Sequence, residues 1–116
     1  MRKPVKKIVA SAIIPRSTEL LGRRIKVLRD SEYIKNRDGY YGLANKISCE
    51  IHIASTVNDV VVPLEEQEIT YFHEIFHLIL AKQGYEEVLE KAGVDLEKIV
   101  EDLAVSIHQV ITKARR

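Results

Sequence analysis

Residues 71–80, "YFHEIFHLIL", place two histidines four apart, with a glutamate directly after the first, inside an otherwise apolar run. The flanks decide what backbone carries them. Pro63 precedes the segment, Glu65, Glu66 and Glu68 fall where a helix has its positive end, and Gly84 offers a C-terminal stop. The pattern predicts a helix over 65–83. On it Ile69, Phe72, Phe76, Ile79 and Leu80 form a broad apolar face, and His73 and His77 stand one turn apart at its edge, facing a groove.

His73-Glu74-Ile75-Phe76-His77 is H-E-x-x-H, and the spacing has a mechanical reason. Side chains four apart on a helix project the same way and can share one tetrahedral zinc ion. Glu74 is displaced around the helix, so it can reach a zinc-activated water without becoming a ligand and act as general base. With four histidines and twelve glutamates in 116 residues, shuffling would give the pattern in about one chain in a hundred. The bland alternative is a pair of half-buried helix histidines bonded to backbone. It suits a lone histidine better than this whole set on an amphipathic helix.

Zinc needs a third ligand. Metzincins would continue H-E-x-x-H-x-x-G-x-x-H, but the chain reads "LILAKQGYE" after His77, with Gln83 where histidine is required. His52 and His108 are doubtful candidates. A carboxylate from the last helix fits better, where Asp95 caps "LEKIVEDLAVSIHQVITKA" and Leu96, Val100, Leu103, Ile107 and Val110 or Ile111 form one apolar stripe. Glu97 borders that stripe beside Val100 and Ala104, Glu101 lies one turn on, and Asp102 projects away from both. Glu97 is the first choice and Glu101 the alternative. Whichever is not a ligand can orient an imidazole. For either, a solvated helix carboxylate is the ordinary reading.

Outward from these helices the chain reads as α+β. Residues 1–63 are rich in β-branched residues, and residues 64–116 hold the long helical patterns. "RRIKVLRD" (23–30) and "SCEIHIAS" (48–55) alternate as half-buried strands, with "NRDGYYGLANK" between them as a turn with an aromatic tip. A hairpin joining the two strands is expected, in a small, mostly antiparallel sheet packed on the H-E-x-x-H helix. A short helix is expected over "YEEVLEKAG". Either the second strand or the one around "NDVVVP" would present an edge for an extended peptide.

At 116 residues the chain fits one domain, 1–116. Residues 1–20 form an N-terminal strand or arm of uncertain role. "MRKPVKKIVASAIIP" mimics a secretory signal, but its apolar run is short and no clear cleavage pattern follows. A net charge of +1 points to neither nucleic acid nor an acidic membrane surface, and no apolar run approaches the ~20 residues a membrane helix needs. The single Cys49 excludes an internal disulfide and a CxxC knuckle, which suggests a reducing, cytoplasmic setting. Oligomeric state is not readable.

"HEIFHLILAKQGY" with "EKIVEDLAVSIHQVI" resembles the C-terminal half of small zincin-like metallopeptidases of phages and prophages, distantly similar to the ImmA/IrrE group. "DGYYGLANK" and "CEIHIA" are similar to the turn and strand that precede the helix in that group. The resemblance spans about residues 24–112, and only H-E-x-x-H is specific in itself. It implies a zincin-like fold and a gluzincin-type zinc site of His73, His77 and Glu97 with Glu74 as base. The stretch between Tyr85 and Asp95 is longer than in the group, which leaves Glu97 against Glu101 open. ImmA-like relatives cleave repressor-type regulators. This chain offers no helix-turn-helix or sensor segment, so that partner would be carried over by analogy alone.

The oxyanion of peptide hydrolysis needs a donor, and His108 and Tyr71 are candidates for that role or for orienting a ligand. Tyr40 and Tyr41 suit a cleft rim. The expectation is therefore a zinc metallopeptidase acting on a peptide or protein substrate. The alternative is a non-catalytic, metal-stabilised binding or regulatory protein; hydrolysis of another amide would use the same residues.

Overall fold

Short strands fill the first half of the chain and three helices the second. The computed structural model describes residues 8–37 and 39–114. In chain order these are β1 (Ser17–Leu20), β2 (Arg23–Arg29), α1 (Glu32–Lys35), β3 (Gly42–Asn45), β4 (Glu50–Ile53), β5 (Thr56–Val57), β6 (Val60–Val61), α2 (Leu64–Lys82), α3 (Tyr85–Lys91) and α4 (Leu96–Ala114). The fold is α+β.

The four-stranded sheet has the order β1-β2-β4-β3. β1 and β2 are antiparallel, as are β3 and β4, but β2 runs parallel to β4 with Lys26 opposite Glu50 and Arg29 opposite Ile53. The expected hairpin between the strands at 23–30 and 48–55 is therefore corrected. Parallel neighbours need a crossover, here supplied by α1 and β3. The segment read as a turn supplies an extra strand, β3, which takes the sheet edge. β4 lies inside the sheet and cannot serve as the peptide-binding edge.

The alternation in β4 is likewise only half right. Cys49, Ile51 and Ile53 are buried, and so is His52. Its Nδ1 lies 2.6 Å from Ser31 Oγ and its ring rests on Tyr33, because α1 covers that face. β5 and β6 form a separate hairpin whose loop residues, Asn58 and Asp59, have φ of 50° and 65°. Positive φ at both loop positions is the type I′ geometry that suits strand twist.

α2 is sandwiched between the sheet and α4. Ile25, Val27, Ile51 and Ile53 of the sheet form the core with Tyr71 and Leu78 of α2. The buried residues of α2 are Gln67, Glu68, Tyr71, Glu74 and Leu78, whereas Ile69, Phe72, Phe76, Ile79 and Leu80 are only half-buried. The expected apolar face thus faces α4 and the margins, and the sheet takes a more polar face. On α4 the buried stripe is Leu96, Val100, Ala104 and His108. Leu103 and Val110, expected inside, are exposed. α2 ends at a C-cap, Gln83, followed by Gly84 at φ 78°, the left-handed conformation glycine tolerates. Asp95 caps α4, its Oδ1 accepting from the Lys98 N–H at 3.2 Å.

The N-terminal segment is both arm and strand: β1 begins at Ser17, and Ile14 joins the core ahead of it. Ser11 ties the arm to α2, donating from Oγ to Glu68 Oε2 at 2.6 Å and accepting from the backbone N–H groups of Ile13 and Ile14. Residues 1–7 of the expected arm lie outside the described residues. No helix among the described residues is long and apolar enough to cross a membrane.

β3 approaches α2 closely because its first residue has no side chain. A Cβ at Gly42 would collide with Thr70 Cγ2 and lie 3.2 Å from the His52 carbonyl oxygen and 3.3 Å from Glu74 Cγ. Gly42→Ala should therefore destabilise the protein by about 1–3 kcal/mol, the usual cost of overpacking. Urea denaturation of the metal-free protein, comparing midpoints at equal slope, measures it.

Candidate metal centre

α2 aims His73 and His77 at the first two turns of α4. His77 Nε2 lies 2.9 Å from Glu97 Oε1, and His73 Nε2 lies 3.1 Å from Glu97 Oε2. The imidazole centroids are 4.9 Å apart. One donor atom from each of His73, His77 and Glu97 lies within 4.8 Å of the others. A tetrahedral zinc with bonds of about 2.1 Å spaces its ligand atoms by about 3.4 Å, so two neutral imidazole nitrogens and one carboxylate suit the ion in number and chemistry.

Glu101 has a different station. Its Oε2 lies 2.8 Å from Nδ1 of His73, the nitrogen not turned to Glu97. A carboxylate accepting from Nδ1–H fixes the tautomer in which Nε2 keeps a free lone pair. One turn of α4 thus separates a candidate ligand from the group that orients its neighbour. Glu97 and Glu101 side chains remain 71% and 51% exposed, which leaves the cluster open to the groove.

Glu74, one position after His73 and about 100° around α2, is 7% exposed. Burial raises its carboxyl pKa from 4.5 to about 7; the nearby His73 opposes this and the Glu97 carboxylate adds to it. The folded state thus holds the Glu74 proton more tightly than the unfolded chain does. In the metal-free protein this stabilising contribution is full below pH 4.5 and is lost as pH rises through about 7, by about 3 kcal/mol. Metal-free protein should lose stability across that window relative to Glu74→Gln, as thermal melts at pH 4.5 and 7.5 would measure. Equal pH dependence in the two proteins would contradict it.

Two cavities meet at this cluster and share Tyr40, Gly42, His73 and Glu74. The larger, about 540 Å³, extends under Val60 and Val61 to Glu101. The smaller, about 400 Å³, runs past Leu43 and Ala44 to Lys46 and Glu86, which form an ion pair at 3.6 Å. Together they make a groove along the β3 edge with Glu74 in its wall.

The remaining candidates lie elsewhere. His108 is buried with Nε2 2.9 Å from Glu68 Oε1, in the pair that Ser11 joins. Tyr71 is buried in the core, its hydroxyl raised in pKa by burial and bonded toward Thr18. Neither lines the two cavities at the cluster. α4 turns His108 toward Glu68 while Glu101 stays at the groove. The His52 side chain contacts Ser31 and Glu50 and is not part of the His73–His77–Glu97 group. Tyr40 does stand at the groove, as expected for a rim. Val60–Val61 fall in the strand around "NDVVVP", whereas Gly42 was not singled out by the sequence. A glycine opening a strand was the signal available.

No family model matches the chain, and neither the curated proteins nor the solved structures contain a match.

Proposed function

We propose that the protein is a zinc-dependent peptidase of zincin-like type, with His73, His77 and Glu97 as ligands, Glu101 as the group that orients His73, and Glu74 as general base. The observation that carries this reading is the groove: a cluster with zinc chemistry sits midway along an open channel bordered by a sheet edge. A structural zinc site is closed by protein on all sides, whereas a catalytic one keeps a position free. When bound, zinc supplies a Lewis acid that polarises a carbonyl and acidifies water.

The chain's own residues supply the rest. β3 is an edge strand, and its main-chain groups can pair with an extended peptide laid in the groove. Glu74 takes the proton of the water as its oxygen bonds to the peptide carbonyl carbon. It returns that proton to the amine nitrogen as the C–N bond breaks. A buried carboxyl with a proton affinity near neutrality suits both steps. The similarity to phage and prophage peptidases makes a protein of repressor type one candidate substrate.

A second reading is a non-catalytic module in which metal fastens α2 to α4. It is favoured by the way Glu97 already joins both histidines across the two helices. Cleavage of a peptide library by zinc-loaded protein, absent in Glu74→Gln, separates the two readings. The module predicts no cleavage by either protein.

A further inference from the structure

The β5–β6 hairpin projects from the main sheet and leaves Val60 and Val61 68% and 69% exposed beside Tyr40, itself 51% exposed. Apolar side chains rarely lie uncovered together without a partner. The base of the hairpin is fixed: Val62 is buried, its N–H donates to the Ser55 carbonyl at 2.8 Å, and its carbonyl accepts from Gln67 Nε2 at 2.9 Å. The hairpin is therefore a standing wall of the larger cavity, with Ile69 of α2 also in the lining. Among the described residues, the titratable groups lining that cavity are Glu66, His73, Glu74 and Glu101, with no lysine or arginine.

We infer that this limb of the groove is a specificity subsite for a bulky aliphatic or aromatic side chain of an extended peptide, and that it rejects acidic ones. Tyr40, Val60, Val61 and Ile69 are the specificity-determining residues. The inference rests on the reading of the groove as a peptide site. Its volume of about 540 Å³ falls within the range of specific ligand sites. Pairing with the β3 edge sends alternate side chains of the peptide to one side of the strand, and this cavity is where such a side chain finds apolar walls. Glu66 and Glu101 in the lining disfavour an aspartate or glutamate side chain placed beside them.

The test measures binding separately from cleavage. Full-length Glu74→Gln protein, with zinc and without it, is titrated against fluorescent decapeptides that differ at one central residue: Leu, Phe, Gly, Lys or Asp. Leu and Phe peptides should bind about tenfold tighter than the Gly peptide, with Asp the weakest. In Val60→Asp/Val61→Asp the advantage of Leu and Phe over Gly should collapse to within about twofold, with Asp still the weakest. Val60→Thr/Val61→Thr, which keeps the β-branching of the strand, should weaken it in the same direction. Binding of no peptide, binding indifferent to the central residue, or a ranking unchanged in both variants would overturn the subsite. So would variants that alter only the sedimentation mass, because the valines would then cover a second copy of the chain. Cleavage of the same peptides by the unsubstituted protein is read in parallel. Ranked binding without cleavage keeps the subsite and removes the peptidase, while cleavage without ranking does the reverse.

Discussion

Glu74→Gln will retain zinc and lose peptide cleavage by about 10²–10⁴-fold, the usual contribution of a positioned general base. Glutamine has nearly the shape of glutamate, so the packing against Thr70 and Gly42 that admits β3 beside α2 is kept. What disappears is the capacity to hold a proton between attack and departure of the amine. The loss should fall on kcat with KM little changed, because Glu74 acts on the reacting atoms and not on the peptide as a whole. Zinc should remain at one equivalent, since the candidate ligands are the two histidines and Glu97. Loss of the metal in Glu74→Gln would make Glu74 a ligand. Undiminished cleavage would take the base role from it.

The same residue shows what could be read from the sequence. A five-residue motif has its meaning in helical geometry alone, so α2, the histidine pair and the separate position of Glu74 followed from spacing. α4 was legible for the same reason, its cap and period being local. The sheet was not. A β2–β4 hairpin and a parallel pair with an inserted edge strand use the same alternating segments, and only the long-range pairing distinguishes them. "GLAN" is too short and too polar to declare itself a strand, yet it becomes the groove wall because Gly42 lets it approach α2. Burial within the helices misled for a related reason. Periodicity identifies an apolar face, but α2 is covered on two sides, so Glu68, Gln67 and Glu74 go inward as groups satisfied by, or packed against, their neighbours. Glu68 is held by Ser11 and His108, an arrangement that depends on the N-terminal arm crossing α2 and that no local pattern announces.

The choice between Glu97 and Glu101 was also beyond the sequence, since the two differ by one turn on the same face of α4 and only the helix crossing assigns their partners. The two carboxylates have different contacts, Glu97 with both Nε2 atoms and Glu101 with Nδ1 of His73, and under the proposed zinc site these predict unequal losses. Glu97→Ala removes the carboxylate whose two oxygens meet the Nε2 atoms of His77 and His73. If a zinc-binding free energy of about 10–16 kcal/mol is shared among the ligands, losing one costs several kcal/mol, so affinity should fall by upwards of about 10³-fold. Glu101→Ala leaves all three ligand groups in place and frees only the His73 ring from its Nδ1 partner. The expected loss is about 10–100-fold, as for other groups that orient a ligand imidazole. Competition with a chromophoric chelator at pH 7 resolves both values, and the zinc-dependent rise in melting temperature should follow the same order. A larger loss in Glu101→Ala than in Glu97→Ala would exchange their roles. Full zinc affinity in His73→Ala would remove the site, because His73 is the one side chain that both carboxylates hold.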